Sequence, residues 1–177
     1  MGTSVRALPE GEQDVVLAPL LCRLWRVPPA SHTFRPLSTM LAYWSQETWT
    51  HAQHWPDPGL VRAGLHLFQE LAETAPEQVL LATDLHAGNV LRAQREPWLV
   101  IDPKPFVGDP AYDATQHLLN CQDRLHLEPE KTIRRWANLL QVEAERVHLW
   151  TFARIAVQTG SNSRQDGWRE LARVLGK

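Results

Sequence analysis

Val16, Leu17, Leu20, Leu21 and Leu24 recur at helical spacing and predict a helix over 10–26. Pro19 lies inside it and has no N–H to donate, so a kink or interruption is expected there, and Pro28-Pro29 ends the segment. Met40, Leu41 and Trp44 share one face of a second helix over 37–49. Val61, Leu65, Phe68 and Leu71 form the stripe of a third over 58–73. The pattern then changes. Residues 79–82 (Val-Leu-Leu-Ala) and 98–101 (Trp-Leu-Val-Ile) are short apolar runs of strand character, and the polar turn at 94–97 between them predicts a hairpin. Helical spacing returns over 110–121, 129–142, 143–158 and 166–175. The fold class is therefore α+β and mostly helical, with a small hairpin between two groups of helices. Trp25, Trp44, Trp136 and Trp150 fall on apolar stripes and are assigned to the core. Trp49, Trp55 and Trp168 lie near helix ends, where a cleft-lining role stays open.

The chemically suggestive residues cluster on the hairpin. Each apolar run leads into an acidic residue: Asp84 opens Asp84-Leu85-His86-Ala87-Gly88-Asn89, and Asp102 opens Asp102-Pro103-Lys104. Taken alone, the first segment is an ordinary turn rich in Asp, Gly and Asn. Paired at hairpin distance, the two segments bring two carboxylates and an amide oxygen onto adjacent turns. Phosphoryl transfer needs that set: a base for the acceptor hydroxyl and hard oxygen ligands for Mg²⁺ against the phosphates. His51 and His54 also share a helix-end spacing that could hold a metal, but the sequence offers no further ligand nearby, and a solvated face is the simpler reading.

The first segment resembles the catalytic loop D-x-H-x-x-N of kinases acting on aminoglycosides, choline and related small molecules. Asp102-Pro103-Lys104 stands in the place of the D-F-G metal motif of protein kinases. Together with Gly108-Asp109-Pro110 and Tyr112-Asp113, the run most resembles the streptomycin 6-phosphotransferases and hydroxyurea phosphotransferases of the aminoglycoside/hydroxyurea antibiotic-resistance kinases. The opening Gly2-Thr3-Ser4-Val5-Arg6-Ala7-Leu8 resembles the segment just after their interlobe hinge. The resemblance implies the C-terminal lobe of a protein-kinase-like fold, ATP and Mg²⁺ as cofactors, and an alcohol group of an aminoglycoside such as streptomycin as acceptor. It implies that Asp84 is the catalytic base, that Asn89 and Asp102 ligate Mg²⁺, and that His86 and Asp113 support the loop. For Lys104 a salt bridge is the first reading and a phosphate or substrate contact the second. One departure stands out: Ala82-Thr83 occupy the place where relatives usually carry His-Gly, and a structural variation is expected there.

Composition narrows the remaining choices. A net charge of -2 gives no global electrostatic reason for nucleic acid binding. No apolar run approaches the ~20 residues that span a bilayer, no signal peptide opens the chain, and Arg6 breaks the myristoylation pattern begun by Met1-Gly2. Cys22 and Cys121 form no disulfide or zinc pattern, and a cytoplasmic location is expected. The nine glycines contain no G-x-G, and no lysine precedes Lys104. The expectation is thus one domain over 1–177, a catalytic lobe without the nucleotide-clamping lobe and inactive alone. Two alternatives stay open. One is a fructosamine or amino-alcohol kinase; fructosamine kinases also carry an Asp-Pro metal motif but typically have Trp where His86 stands. The other alternative is a non-catalytic remnant that binds a small molecule.

Overall fold

The computed structural model describes residues 4–160 and 162–177. Its helices are α1 (Glu10–Leu24), α2 (Leu37–Thr50), α3 (Pro58–Glu73), α4 (Pro110–Leu118), α5 (Gln122–Leu127), α6 (Pro129–Leu140), α7 (Ala144–Ala156) and α8 (Ser163–Leu175). The strands are β1 (Val79–Leu81), β2 (Val90–Arg92), β3 (Trp98–Val100) and β4 (Phe106–Gly108). Local chemistry sets several boundaries. Asp57 accepts a hydrogen bond from Leu60 N ahead of Pro58, and Asp109 does the same for Ala111 N ahead of Pro110, so each helix starts on a side-chain cap followed by proline. Gln141, at φ 57, closes α6 in the left-handed conformation.

Helix α7 is the centre of the helical body, packing on α3, α4, α6 and α8. Its Trp150 is fully buried and meets Tyr112 of α4 edge-on at 5.2 Å. Helix α3 comes close enough that a Cβ on Gly64 would stand 2.9 Å from the Ala153 carbonyl oxygen, so this crossing depends on glycine. A buried polar cluster ties α1 to the helices opposite. Asp14 accepts two hydrogen bonds from Arg124 (2.7 and 2.8 Å), one from Arg135 (3.1 Å), and contacts His117 Nε2 at 2.8 Å. Burial alone would raise the Asp14 carboxyl, but the hydrogen bonds and charges of Arg124 and His117 outweigh it and hold the group well below the usual carboxylate range. Cys121 Sγ lies 3.6 Å from His117 Nε2, the same nitrogen that faces Asp14. Burial pushes that thiol up to about 12, and the Cys–His–Asp grouping lies inside the helical body, where it joins α1 to α4.

Three expectations are corrected. Of the kink or interruption expected at Pro19, the interruption does not occur: helix α1 continues through it. The carbonyl that Pro19 leaves without its usual N–H belongs to Val15, a residue on the exposed side of the helix. The helix expected over 110–121 stops at Leu118, and the separate helix α5 follows once the His117 and Leu118 carbonyls have accepted the Cys121 N–H. The run at 79–82 does not pair with the run at 98–101. β1 pairs antiparallel with β4 (Leu80 opposite Val107), while β3 pairs with β2 (Leu99 opposite Leu91), giving two two-stranded sheets. The polar turn at 94–97 does close a hairpin, but the strand on its other side is Val90–Arg92. The two motifs flank that hairpin. No helix among the described residues is long and apolar enough to cross a membrane.

Candidate active site

The end of β1 is held from below by Asp113 in the first turn of α4. Its fully buried carboxylate accepts hydrogen bonds from Ala82 N (2.9 Å), Thr83 N (2.6 Å) and Trp25 Nε1 (3.0 Å). Burial pushes the Asp113 carboxyl up, and these three donors oppose the shift. The backbone then turns sharply: Thr83 has φ 52, a left-handed conformation that favours glycine. Here the Thr83 hydroxyl donates to the Lys104 carbonyl at 2.6 Å, and Lys104 N donates to the Ala82 carbonyl at 3.0 Å. Threonine thus adds a tether that glycine could not supply. It stitches the loop after β1 to the Asp102-Pro103-Lys104 segment.

Asp84 emerges from this turn with its side chain 25% exposed. Its Oδ2 is in contact with Lys104 Nζ, which also lies 4.0 Å from Asp102 Oδ2. Its Oδ1 accepts from Gln116 Nε2 of α4 at 3.0 Å. Hydrogen bonding and charge from Asp84, with Asp102 adding to them, hold the Lys104 ammonium above its usual value. Asn89 Nδ2 donates to the Asp84 carbonyl (2.9 Å), and the Asn89 carbonyl accepts from Ile101 N (2.9 Å), so the start of β2 and the end of β3 meet beside the loop. Asp102, at φ 50, follows with its side chain 71% exposed. His86 Nδ1 accepts from Gly88 N at 3.0 Å across the 3-10 turn Ala87–Asn89. Burial lowers the His86 pKa, with the neighbouring Asp84 charge pulling the other way, which suits a ring nitrogen used as an acceptor. Ser4 Oγ donates to the Ala87 carbonyl (2.8 Å) and Ser4 bridges to Leu91, so the opening segment lies against the loop from Ser4 on. Gly2 and Thr3 lie outside the described residues.

Asp84, Asn89, Asp102 and Lys104 therefore converge on one rim, with His86 and Asp113 bonded to the backbone behind it. Two carboxylates drawing one ammonium between them mark a place of concentrated negative charge. A carboxylate and an amide oxygen are hard ligands of the kind Mg²⁺ takes. Among the described residues no group of three or more His, Cys, Asp or Glu side chains is arranged to hold a metal. An ion on this rim would complete its shell with water and phosphate oxygens, as Mg²⁺ commonly does.

Two residues that the sequence did not single out join the rim. Gln116 touches Asp84 directly, and Arg154 of α7 donates from Nη2 to Gln116 Oε1 at 2.7 Å. Gln116 stands one helical turn beyond Asp113 on the same face of α4, a spacing that pointed to it. The tryptophans divide differently from the expectation. Trp55 and Trp168 are buried, whereas Trp49 is 51% exposed and lines a groove between α2 and α3. Trp136 and Trp150 are buried in the core, and Trp25 and Trp44 are partly buried and pack against it. His51 Nδ1 is engaged locally, with the Glu47 carbonyl (3.0 Å) and Thr50 Oγ1 (2.9 Å).

The chain is 35% identical over 153 residues to streptomycin 6-kinase of Streptomyces griseus, a match covering 81% of this chain and 49% of that protein. Over 52 residues it is 56% identical to hydroxyurea phosphotransferase of Kitasatospora aureofaciens, covering 28% of this chain and 15% of that one. The chain spans about half the length of the streptomycin kinases it matches. A choline kinase of Streptococcus pneumoniae superposes with a TM-score of 0.66 at 11% identity, covering 99% of this chain and 66% of that structure, so the architecture is the protein-kinase-like fold. The model of the family described as aminoglycoside/hydroxyurea antibiotic resistance kinase matches residues 2–167, and the chain belongs to that family.

Proposed function

We propose that these 177 residues form the catalytic, C-terminal lobe of an ATP-dependent phosphotransferase that phosphorylates an alcohol group of an aminoglycoside such as streptomycin. The observation that carries the reading is the convergence of Asp84, Asn89 and Asp102 around one half-exposed rim, on a chain related to streptomycin kinases. Asp84 is the base. Its Oδ2 accepts the proton of the acceptor hydroxyl, and the freed oxygen bonds to the γ-phosphorus of ATP as the bond to the bridging oxygen breaks and ADP leaves. Asp102 and the Asn89 amide oxygen would hold Mg²⁺, which would supply neutralisation of phosphate charge. Lys104 now sits on the oxygen that must accept the proton. An arriving γ-phosphate would give its ammonium an anionic partner besides Asp84 and Asp102, and exchange of Lys104 from Asp84 to phosphate would clear the base.

Two features support the lobe assignment: the chain covers about half of its streptomycin-kinase relatives, and it carries neither a G-x-G loop nor a lysine before Lys104. The test is to join this lobe to a nucleotide-clamping lobe, the two together being the full-length protein of the tests below, incubate it with ATP, Mg²⁺ and streptomycin, and follow the drug by mass spectrometry. The reading expects one added phosphoryl group. Unmodified drug beside steady ATP consumption on an amino-alcohol acceptor would move the protein to another substrate class.

A further inference from the structure

The base is buttressed from α4 and α7 by a one-way chain of donors. Arg154 can only donate, so its Nη2 fixes which end of the Gln116 amide it meets: Oε1, at 2.7 Å. That leaves Gln116 Nε2 to donate to Asp84 Oδ1 at 3.0 Å, and a carboxylate can only accept. Arg154 is itself immobilised. Its Nη1 donates to Thr115 Oγ1 at 2.6 Å, and its guanidinium carbon lies 4.9 Å from the centre of the fully buried Tyr112 ring. On the far side it lines a cavity of about 270 Å³ together with Trp44, Glu47, Thr48 and Phe68.

From this geometry we infer that Gln116 is a positioning residue for phosphoryl transfer, held by Arg154, which pins Asp84 Oδ1 so that Oδ2 faces the acceptor hydroxyl. The inference rests on the reading of Asp84 as the base. A carboxylate on a loop can rotate about its terminal torsion, which is broad and roughly two-fold. An amide N–H on one oxygen removes that freedom and selects the other oxygen for the proton. The gain belongs to the reacting arrangement and not to substrate affinity, so it should appear in kcat.

Gln116→Glu separates this role from a structural one. Glutamate keeps the shape of glutamine and remains a partner for Arg154, so a residue needed only for packing or for holding Arg154 would tolerate it. It also sets an acceptor against an acceptor at Asp84 Oδ1, which destroys the proposed bond. The full-length protein, Gln116→Glu, Gln116→Met and Asp84→Asn are compared for kcat, for KM of ATP and acceptor, and for melting temperature. The expected result is a fall in kcat of about 10- to 100-fold in both Gln116 variants, the scale of a misplaced catalytic group. The KM values of Gln116→Met, which adds no charge to the rim, should stay near the parent's, whereas Gln116→Glu places a second carboxylate beside Asp84 and should melt lower. Should Gln116→Glu fail to fold, Gln116→Met carries the test. Parent-like kcat in a folded Gln116 variant, with Asp84→Asn inactive, overturns the positioning role and leaves the base in place. Parent-like turnover in Asp84→Asn overturns the base reading and this inference with it.

Discussion

Replacing Asp113 probes how the loop is held. The carboxylate is fully buried, and two of its three donors are the backbone N–H groups of Ala82 and Thr83, which have no other route to an acceptor at that depth. A buried donor left unsatisfied costs about 1–3 kcal/mol, so Asp113→Ala should destabilise by about 2–6 kcal/mol through these two groups. The third donor, the indole of Trp25, is only partly buried and can recover water. Asp113 also stands in the first turn of α4, where a negative charge adds about 0.3–1 kcal/mol that both Ala and Asn forfeit. Asp113→Asn keeps one acceptor oxygen but turns an NH₂ towards another donor, so about 1–3 kcal/mol is expected from it. A whole domain is typically stable by only about 5–15 kcal/mol, which makes the alanine variant marginal. Urea unfolding followed by tryptophan fluorescence gives the values directly, provided the denaturant slope is unchanged. An Asp113→Ala protein within about 0.5 kcal/mol of the parent at equal slope would refute this accounting of the buried donors.

Two further outcomes follow from the charged groups. The folded-state pKa of Asp14 is depressed, so its stabilisation is fully present above the ordinary aspartate value of about 3.9 and is lost as pH falls below it towards the folded value. Urea midpoints of the parent should therefore drop between pH 5 and 3 (about one decade either side of that value), and Asp14→Asn should lose much of the drop; parallel acid profiles would contradict it. At the metal, Asp102→Ala should weaken nucleotide binding measured with Mg²⁺ more than binding measured in EDTA, because it removes a charged ligand. Equal losses in both titrations would argue against ligation.

The sequence made the helices legible because their apolar stripes are long. Val61, Leu65, Phe68 and Leu71 specify α3 and all four are buried. The strands were not legible to the same degree. Each is three residues long, too short for alternation to show, and Phe106–Gly108 follows two prolines and reads as loop. The pairing of β1 with β4 was therefore missed; Asp84 and Asp102 nevertheless lie on either side of Lys104, because Thr83 and Lys104 link the two segments directly. At Thr83 a structural variation was expected, but not the form it takes. Its left-handed backbone and its bond to Lys104 depend on partners 21 residues away, which no local pattern carries. Arg154 was out of reach for the same reason: it meets Gln116 across 38 residues, through the packing of α7 on α4.

The most direct test of phosphoryl transfer through Asp84 is a comparison of turnover with nucleotide affinity in Asp84→Asn. Asparagine keeps the shape and can hold Lys104 through its oxygen, but it cannot take the acceptor's proton. In the full-length protein, with Mg²⁺, ATP and streptomycin, kcat should fall by about 10² or more while the Kd for ATP stays near the parent's. Near-normal turnover in Asp84→Asn, at unchanged ATP affinity, would contradict the account.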